Sequence, residues 1–222
     1  MKPHYDVLFA TPGPNMLPGY VRSLLKTVKI LEQEGISWNY LTEYSSLVSM
    51  ARETTIGGSG YQDINCSVPL HDTVTYNKIF WIDSDIAWEP IDFFRLYESD
   101  RDIVSGCYLL SDRTATIYYE PLGEALTEEQ VLSHREPFKA AGVGFGFLAV
   151  KQGVFESMKR PWFSQVEVMV KNKETGEDEY KFPLMGEDLS WCTKAINLGY
   201  DIWVDPAVRV THHKQAVLEW SR

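Results

Sequence analysis

Apolar residues along the first half of the chain alternate between strand-like runs and helical spacing. Tyr5–Ala10 is a short apolar run followed by the breaker-rich Thr11-Pro-Gly-Pro-Asn15. From Pro18 to Glu34, the positions Val21, Leu24, Leu25, Val28 and Leu31 share a helical face, and Gly35 supplies a stop. Ile36–Thr42 predicts a second strand, Ser45–Thr55 a helix carrying Arg52, and Asn77–Ile82 a third strand with four consecutive apolar residues. Pro90–Ser99 predicts a short helix and Ile103–Tyr108 a further strand. This strand–helix–strand order implies an α/β fold with a mostly parallel central sheet and helices on both faces.

The second half has a different texture. Residues 111–139 are polar with few periods, and predict a long excursion over the surface. Gly142–Val150 reads as one glycine-interleaved strand, and Val166–Val170 with Glu179–Phe182 as a hairpin turning at Thr175-Gly176. Gly186–Gly199 has an acidic helix start and a glycine stop, and is followed by the strand-like Tyr200–Val204, then Val208–Val210 and Thr211-His212-His213. With no repeat or linker, residues 1–222 are expected to form one domain. Residues 111–139 and 164–183 are expected to act as segments closing over a ligand.

Composition narrows the function. A net charge of −10 argues against nucleic acid or an anionic membrane as partner. Cys66, Cys107 and Cys192 lie far apart without CxxC spacing, which suits a reducing cytoplasm and no zinc site or disulfide framework. No apolar run reaches bilayer-spanning length, and the N-terminus has no export signal, so no transmembrane segment is expected. The sequence leaves the oligomeric state open.

The chemistry concentrates at Phe80-Trp-Ile-Asp83-Ser84-Asp85, where an apolar strand ends in two aspartates. Open α/β sheets bind ligands at the carboxyl ends of their strands. Two neighbouring carboxylates are costly to bury unless a cation neutralises them, and hard oxygen ligands suit Mg²⁺ or Mn²⁺ with sites left for phosphate. The motif therefore points to a metal-bound nucleoside diphosphate. The ordinary alternative is a strand-end turn, for which Asp is a common starter. There is no GxGxxG after the first strand, so a dinucleotide cofactor is not expected.

Four motifs then follow in order: Phe-Trp-Ile-Asp-Ser-Asp; Gly142-Val-Gly-Phe-Gly-Phe-Leu-Ala-Val; Gly186-Glu-Asp-Leu-Ser-Trp-Cys; and Gly199-Tyr-Asp-Ile-Trp-Val-Asp-Pro leading to Val208-Arg-Val-Thr-His212. Together they resemble the GT-A fold glycosyltransferases, and most nearly the large inverting family two and its metal-dependent relatives. The resemblance runs from the first strand to His212 and departs at residues 111–139 and 164–183. It implies a single GT-A-type domain, with about 1–108 binding a UDP- or GDP-linked sugar donor and about 109–222 serving the acceptor hydroxyl and catalysis.

The resemblance also implies roles. Asp83, Ser84 and Asp85 would hold donor and metal, with His212 as a third metal ligand and His213 its adjacent competitor. Asp188 would be the general base, with Glu187 holding the acceptor or backbone; the helix dipole alone also favours both acids there. Thr11 and Pro12 would lie by the nucleobase, and Arg52 would approach the nucleotide. Read from the residues alone, Gly142, Gly144 and Gly146 allow close approach either of a sugar or of a neighbouring strand. Trp88 and Trp191 are either sugar-stacking residues or core. Two rival enzymes share parts of the pattern. A nucleotidyltransferase would carry a basic Gly-rich loop after the first strand, whereas Thr-Pro-Gly-Pro-Asn has none. A haloacid-dehalogenase-like phosphohydrolase would place its aspartates on the first strand, with Thr or Val where Ala87 stands.

Overall fold

The structure, a computed structural model, describes residues 1–58, 65–120, 123–167, 169–171, 175, 178–180 and 185–213. The elements of the first half are β1 (His4–Ala10), α1 (Pro18–Gln33), β2 (Trp38–Leu41), α2 (Val48–Gly57), β3 (Thr75–Ile82), β4 (Ile86–Ala87), α3 (Pro90–Glu98) and β5 (Ile103–Cys107). Then come β6 (Thr114–Tyr118), β7 (Ala125–Thr127), α4 (Glu128–Ser133), β8 (Phe138–Ala140), β9 (Gly142–Val143), β10 (Phe147–Lys151) and α5 (Val154–Ser157). The last are β11 (Met169–Lys171), β12 (Asp178–Tyr180), α6 (Glu187–Asn197), β13 (Ile202–Arg209) and β14 (Thr211–His212).

Seven strands form the central sheet in the order β2-β1-β3-β10-β5-β13-β8. β1 is parallel to β2 and β3, and β13 to β5, while β10 runs antiparallel between β3 and β5 and β8 antiparallel to β13. The expected mostly parallel α/β sheet is what the chain forms, with β10 of the second half inserted between two strands of the first. Side-chain alternation divides each strand between two cores. Val7, Phe9, Phe80 and Ile82 face α1 and α3 through Tyr20, Leu31, Phe93 and Leu96. Leu8, Ala10, Ile79 and Trp81 share the opposite cluster with Ile56 of α2, Phe155 of α5 and Trp191 of α6.

Several expectations need correction. Residues 111–139 are not aperiodic: β6 pairs with β7 and β9 in a small sheet, and β8 joins the central one. The Ala115 and Ile117 alternation that buries β6 is short and uses one small residue, so it carries little hydropathy signal. Gly142–Val150 is two strands in different sheets, broken at residues 144–146. Ile202–Val204 and Val208-Arg209 lie instead along a single β13 (Ile202–Arg209), shifted in register between Val204 and Arg209. The expected hairpin exists as β11 paired with β12, but Phe182 and Gly176 lie outside the described residues, as does much of the proposed closing segment 164–183.

Helix α1 buries only part of the face its apolar spacing suggests: Leu24, Val28 and Leu31 pack into the core, but Val21 and Leu25 do not. Tyr20, Ser23, Thr27 and Leu31 are buried, while Val21 and Leu25 are 39% and 65% exposed. Trp88 is the reason. Its backbone N–H donates to Ser23 Oγ and its indole Nε1–H to Thr27 Oγ1, each at 2.9 Å. A buried indole needs a partner for its N–H, and two small hydroxyl residues provide a fitted slot. Trp88 is thus a core residue that ties α1 to the chain just beyond Asp85, not a sugar platform.

Lys78 is buried in the middle of β3, and its ammonium donates to the carbonyls of Leu96, Tyr97 and Ser99. These are acceptors at and just beyond the carboxyl end of α3, where the helix has none of its own donors left. Replacing Lys78 by Met should therefore cost about 1–3 kcal/mol in chemical denaturation. Burial, reinforced by Lys151, lowers the Lys78 pKa to about 8 from 10.5. Between those values the unfolded chain holds a proton the native chain lacks, so native stability gains with rising pH. The stability of the parent relative to Lys78→Met should rise from pH 8 to pH 10; a flat difference contradicts this placement.

Candidate active site

The carboxyl ends of β1 and β3 open onto one end of the sheet, and the chain between β3 and β4 is fixed there by its backbone. Asp83 N–H donates to Gly146 O at 3.1 Å, Leu17 N–H to Ser84 O at 3.0 Å, and His213 N–H to Asp85 O at 2.9 Å. β14 pairs antiparallel with β4, setting His212 opposite Ile86 and hence beside Asp85. His212 Nε2 lies 3.1 Å from Asp85 Oδ2, and its Nδ1 lies 3.0 Å from Leu109 O. A carbonyl only accepts, so Nδ1 carries the proton. Nε2 then faces the carboxylate lone pair to lone pair unless a proton or a metal ion lies between them. Carbonyl-oriented imidazole next to carboxylate is a habitual ligand arrangement for divalent metals. His213 points elsewhere, into a separate cavity with Gly19, Arg22 and Arg209.

Behind this pair stands Arg52. It is 3% exposed, projecting from the second turn of α2. Its Nη1 lies 3.4 Å from Asp83 Oδ1, and its Nε 3.6 Å from Glu187 Oε1 and 3.2 Å from Asp188 Oδ1. Nη2 donates to Asp188 Oδ2 at 3.5 Å, and the guanidinium sits 5.1 Å over the Phe145 ring. Burial alone would lower the Arg52 pKa, but Asp188, Asp83 and Glu187 more than offset it and the group is held charged. Despite those short distances, Nε and Nη1 make no well-angled hydrogen bond, and neither does Asp188 Oδ1. Three acidic side chains share one arginine, two of whose nitrogens make no well-angled hydrogen bond to them.

Asp188 sits in the first turn of α6, whose start at Gly186 places it against the break between β9 and β10. Phe145 N–H donates to its Oδ2 at 3.2 Å. Burial pushes its pKa up to about 7, with Glu187 and Asp83 adding to the rise and Arg52 the main opposing influence. That is the range in which a carboxylate can take and return a proton near neutrality.

Pro12, Arg52, Asp83, Ser84, Asp85 and His212 all line one cavity of about 500 Å³. A second, of about 300 Å³, is lined by Gly144, Glu187 and Asp188. Thr11 does not reach either: it is buried, its hydroxyl bonded to that of Tyr20. Trp191 is fully buried, edge-on to Phe145, and has no surface from which to stack on a sugar. The glycines at 144 and 146 make room for Tyr108. A Cβ on Gly144 would lie 2.1 Å from the Tyr108 hydroxyl, and one on Gly146 2.6 Å from its ring, so close packing is their immediate cause. Among the described residues, no group of three or more His, Cys, Asp or Glu side chains is gathered to hold a metal, because Asp83 is turned towards Arg52.

Tyr108 and Thr116 were not anticipated. Tyr108 is edge-on to His212, its hydroxyl accepts from Gly146 N–H at 3.1 Å and is hydrogen-bonded to Thr116, and burial beside Asp83 and Asp188 raises its pKa. Its place at the carboxyl end of β5 was the available signal. Thr116 lies on β6, in the stretch with no readable period.

No family model matches the sequence, and no curated protein matches it. Solved structures do. A197 from STIV superposes with a TM-score of 0.54 at 16% identity over 98% of both chains. The structure of GalNAc-T7 with UDP, GalNAc and Mn²⁺ superposes with a TM-score of 0.54 at 10% identity, over 93% of this chain and 43% of that one. This chain therefore spans less than half the length of the GalNAc-T7 chain. At these identities the likeness is one of fold, and the fold is GT-A-like.

If Arg52 is what holds Asp83, Glu187 and Asp188 together, Arg52→Met should destabilise the chain by about 3 kcal/mol, the lower end for a broken buried pair because the acids keep some solvent. The loss should be larger at pH 8 than at pH 5, where protonation relieves the repulsion. Denaturant titrations at the two pH values check this, and an equal loss at both contradicts the arrangement.

Proposed function

We propose that the chain is a glycosyltransferase that uses a divalent ion and a UDP- or GDP-linked sugar to glycosylate an acceptor hydroxyl. The observation that carries the reading is the opposed Asp85–His212 pair at the edge of a cavity backed by a buried arginine. The donor set suits Mn²⁺ or Mg²⁺, which commonly take one or two carboxylates and leave positions for substrate phosphates. Asp85 and His212 would hold the ion, with Asp83 at hand. When bound, the ion supplies Lewis-acid neutralisation of the departing nucleoside diphosphate. GalNAc-T7, of like fold, was solved with UDP and Mn²⁺.

The chain's own residues account for the rest. Pro12 and Ser84 line the cavity on the side of β1 and β3 and bound the nucleoside. Arg52 presents underused donors to the diphosphate. Asp188 takes the proton of the acceptor O–H as the acceptor oxygen bonds to the anomeric carbon and the carbon–phosphate oxygen bond breaks; the electron pair leaves on the nucleoside diphosphate. Glu187 lies on the acceptor side, where it can accept from acceptor hydroxyls. Residues of 1–108 form most of the donor cavity, with Leu110, Thr116 and His212 contributed by the second half. Cys66, Cys107 and Cys192 are unbridged, which favours a reducing compartment such as the cytoplasm. Among the described residues, no helix is long and apolar enough to cross a membrane.

Calorimetry with UDP and GDP should show binding in Mn²⁺ that EDTA abolishes, and Asp85→Asn or His212→Ala should weaken it by about 10–100-fold. Asp188→Asn should leave that binding nearly intact and remove transfer, since an amide accepts no proton at neutral pH. Equal binding in EDTA removes the metal role, and retained turnover in Asp188→Asn removes the base assignment. Because Asp188 must be ionised to act, transfer should rise with pH through about 7. A rate that is flat from pH 5.5 to 8 contradicts that role.

A further inference from the structure

The two cavities meet at one residue. Thr116 lines the larger cavity with Arg52 and Asp85, and also the smaller one with Glu187 and Asp188. Arg52 and Asp188, in contact at 3.2 Å, likewise belong one to each. A group in the smaller cavity is therefore placed beside the base and next to whatever occupies the larger. Resting on the glycosyl-transfer reading, we propose that the smaller cavity holds the acceptor, that the acceptor is a single pyranose ring, and that Gly186 and Tyr118 set this specificity.

Three observations carry the proposal. The cavity measures about 300 Å³, the lower end for small-molecule pockets, so the part of the acceptor that enters it is small. A single sugar ring with its hydroxyls suits that space. Its lining also suits a sugar: the Glu187 carboxylate and Thr116 hydroxyl offer partners to ring hydroxyls, and the half-buried Tyr118 offers an apolar surface to ring carbons. Finally, Gly186 keeps the space open. Among the described residues, a Cβ there would meet no atom within 4 Å, and its φ of −54° is one any residue adopts. Unlike Gly144 and Gly146, this glycine makes room for no side chain among the described residues. A larger residue at 186 would project into space without straining the backbone.

The test uses the full chain, Mn²⁺ and whichever UDP- or GDP-sugar it hydrolyses. Transfer is measured to a panel of methyl pyranosides, to a serine- and threonine-containing peptide and to a polyprenyl phosphate. Wild type is compared with Gly186→Ala, Gly186→Leu and Tyr118→Ala. Pyranosides should be the acceptors used. The ratio of transfer to donor hydrolysis should fall slightly in Gly186→Ala and about 10-fold or more in Gly186→Leu, through the acceptor KM. Should thermal melts show that Gly186→Leu does not fold, Tyr118→Ala decides, with an expected rise in pyranoside KM of about 10-fold. Transfer only to the peptide or the lipid overturns the inference alone, as does a folded Gly186→Leu chain with an unchanged ratio, or an unchanged KM in Tyr118→Ala. Absence of hydrolysis of every donor in Mn²⁺ overturns the glycosyl-transfer reading and this inference with it.

Discussion

One buried cation organises this end of the molecule. Arg52 lies inside the protein with Asp83, Glu187 and Asp188 around it, from the end of β3 and the start of α6. Without the guanidinium the three carboxylates repel one another; with it, the start of α6 is tied to α2 and to the chain beyond β3. The same charge explains two further features. It keeps Asp188 from rising even higher than a pKa of about 7, and it pairs with Asp83, so that Asp85 and His212 are the pair that would face the proposed metal ion. On the proposed function, a diphosphate entering the cavity would compete for Arg52, linking donor binding to the geometry of the acids through one side chain.

The backbone makes that linkage possible. β10 runs antiparallel between β3 and β5, and the break before it at residues 144–146 leaves an amide, that of Phe145, for Asp188 Oδ2. The glycines there admit Tyr108, whose ring packs on His212 and whose hydroxyl reaches Gly146 N–H and Thr116. His212, Asp188 and the Thr116 junction of the two cavities are therefore joined by a continuous run of packed or hydrogen-bonded groups. Few of these atoms have room to move independently.

The sequence made the central sheet legible because its strands are apolar and separated by helices; β1, β3 and β5 were placed to within two residues at each end. It made Asp85, His212, Asp188 and Arg52 visible as candidates because each adjoins a strand end or helix start. Where buried polarity replaces hydropathy, it was opaque. Ser23 and Thr27 occupy the buried face of α1 because Trp88 needs acceptors, and no spacing rule contains that. β6 escaped notice because Ala115 and Ile117 are a short, weak alternation, and with it went Thr116 and Tyr118. Trp191 misled for the opposite reason: an aromatic near a catalytic motif suggests a ligand, yet its ring completes a core with Phe145 and Phe155.

On the proposed function, Arg52, Asp85 and His212 surround one site for a metal-bound nucleoside diphosphate. Anomalous diffraction from crystals grown with Mn²⁺ and UDP or GDP is the decisive measurement. One manganese peak is expected within coordination distance of Asp85 and His212 Nε2, with the diphosphate oxygens between the ion and the Arg52 guanidinium. A peak elsewhere, or a nucleotide seated away from Arg52, contradicts it.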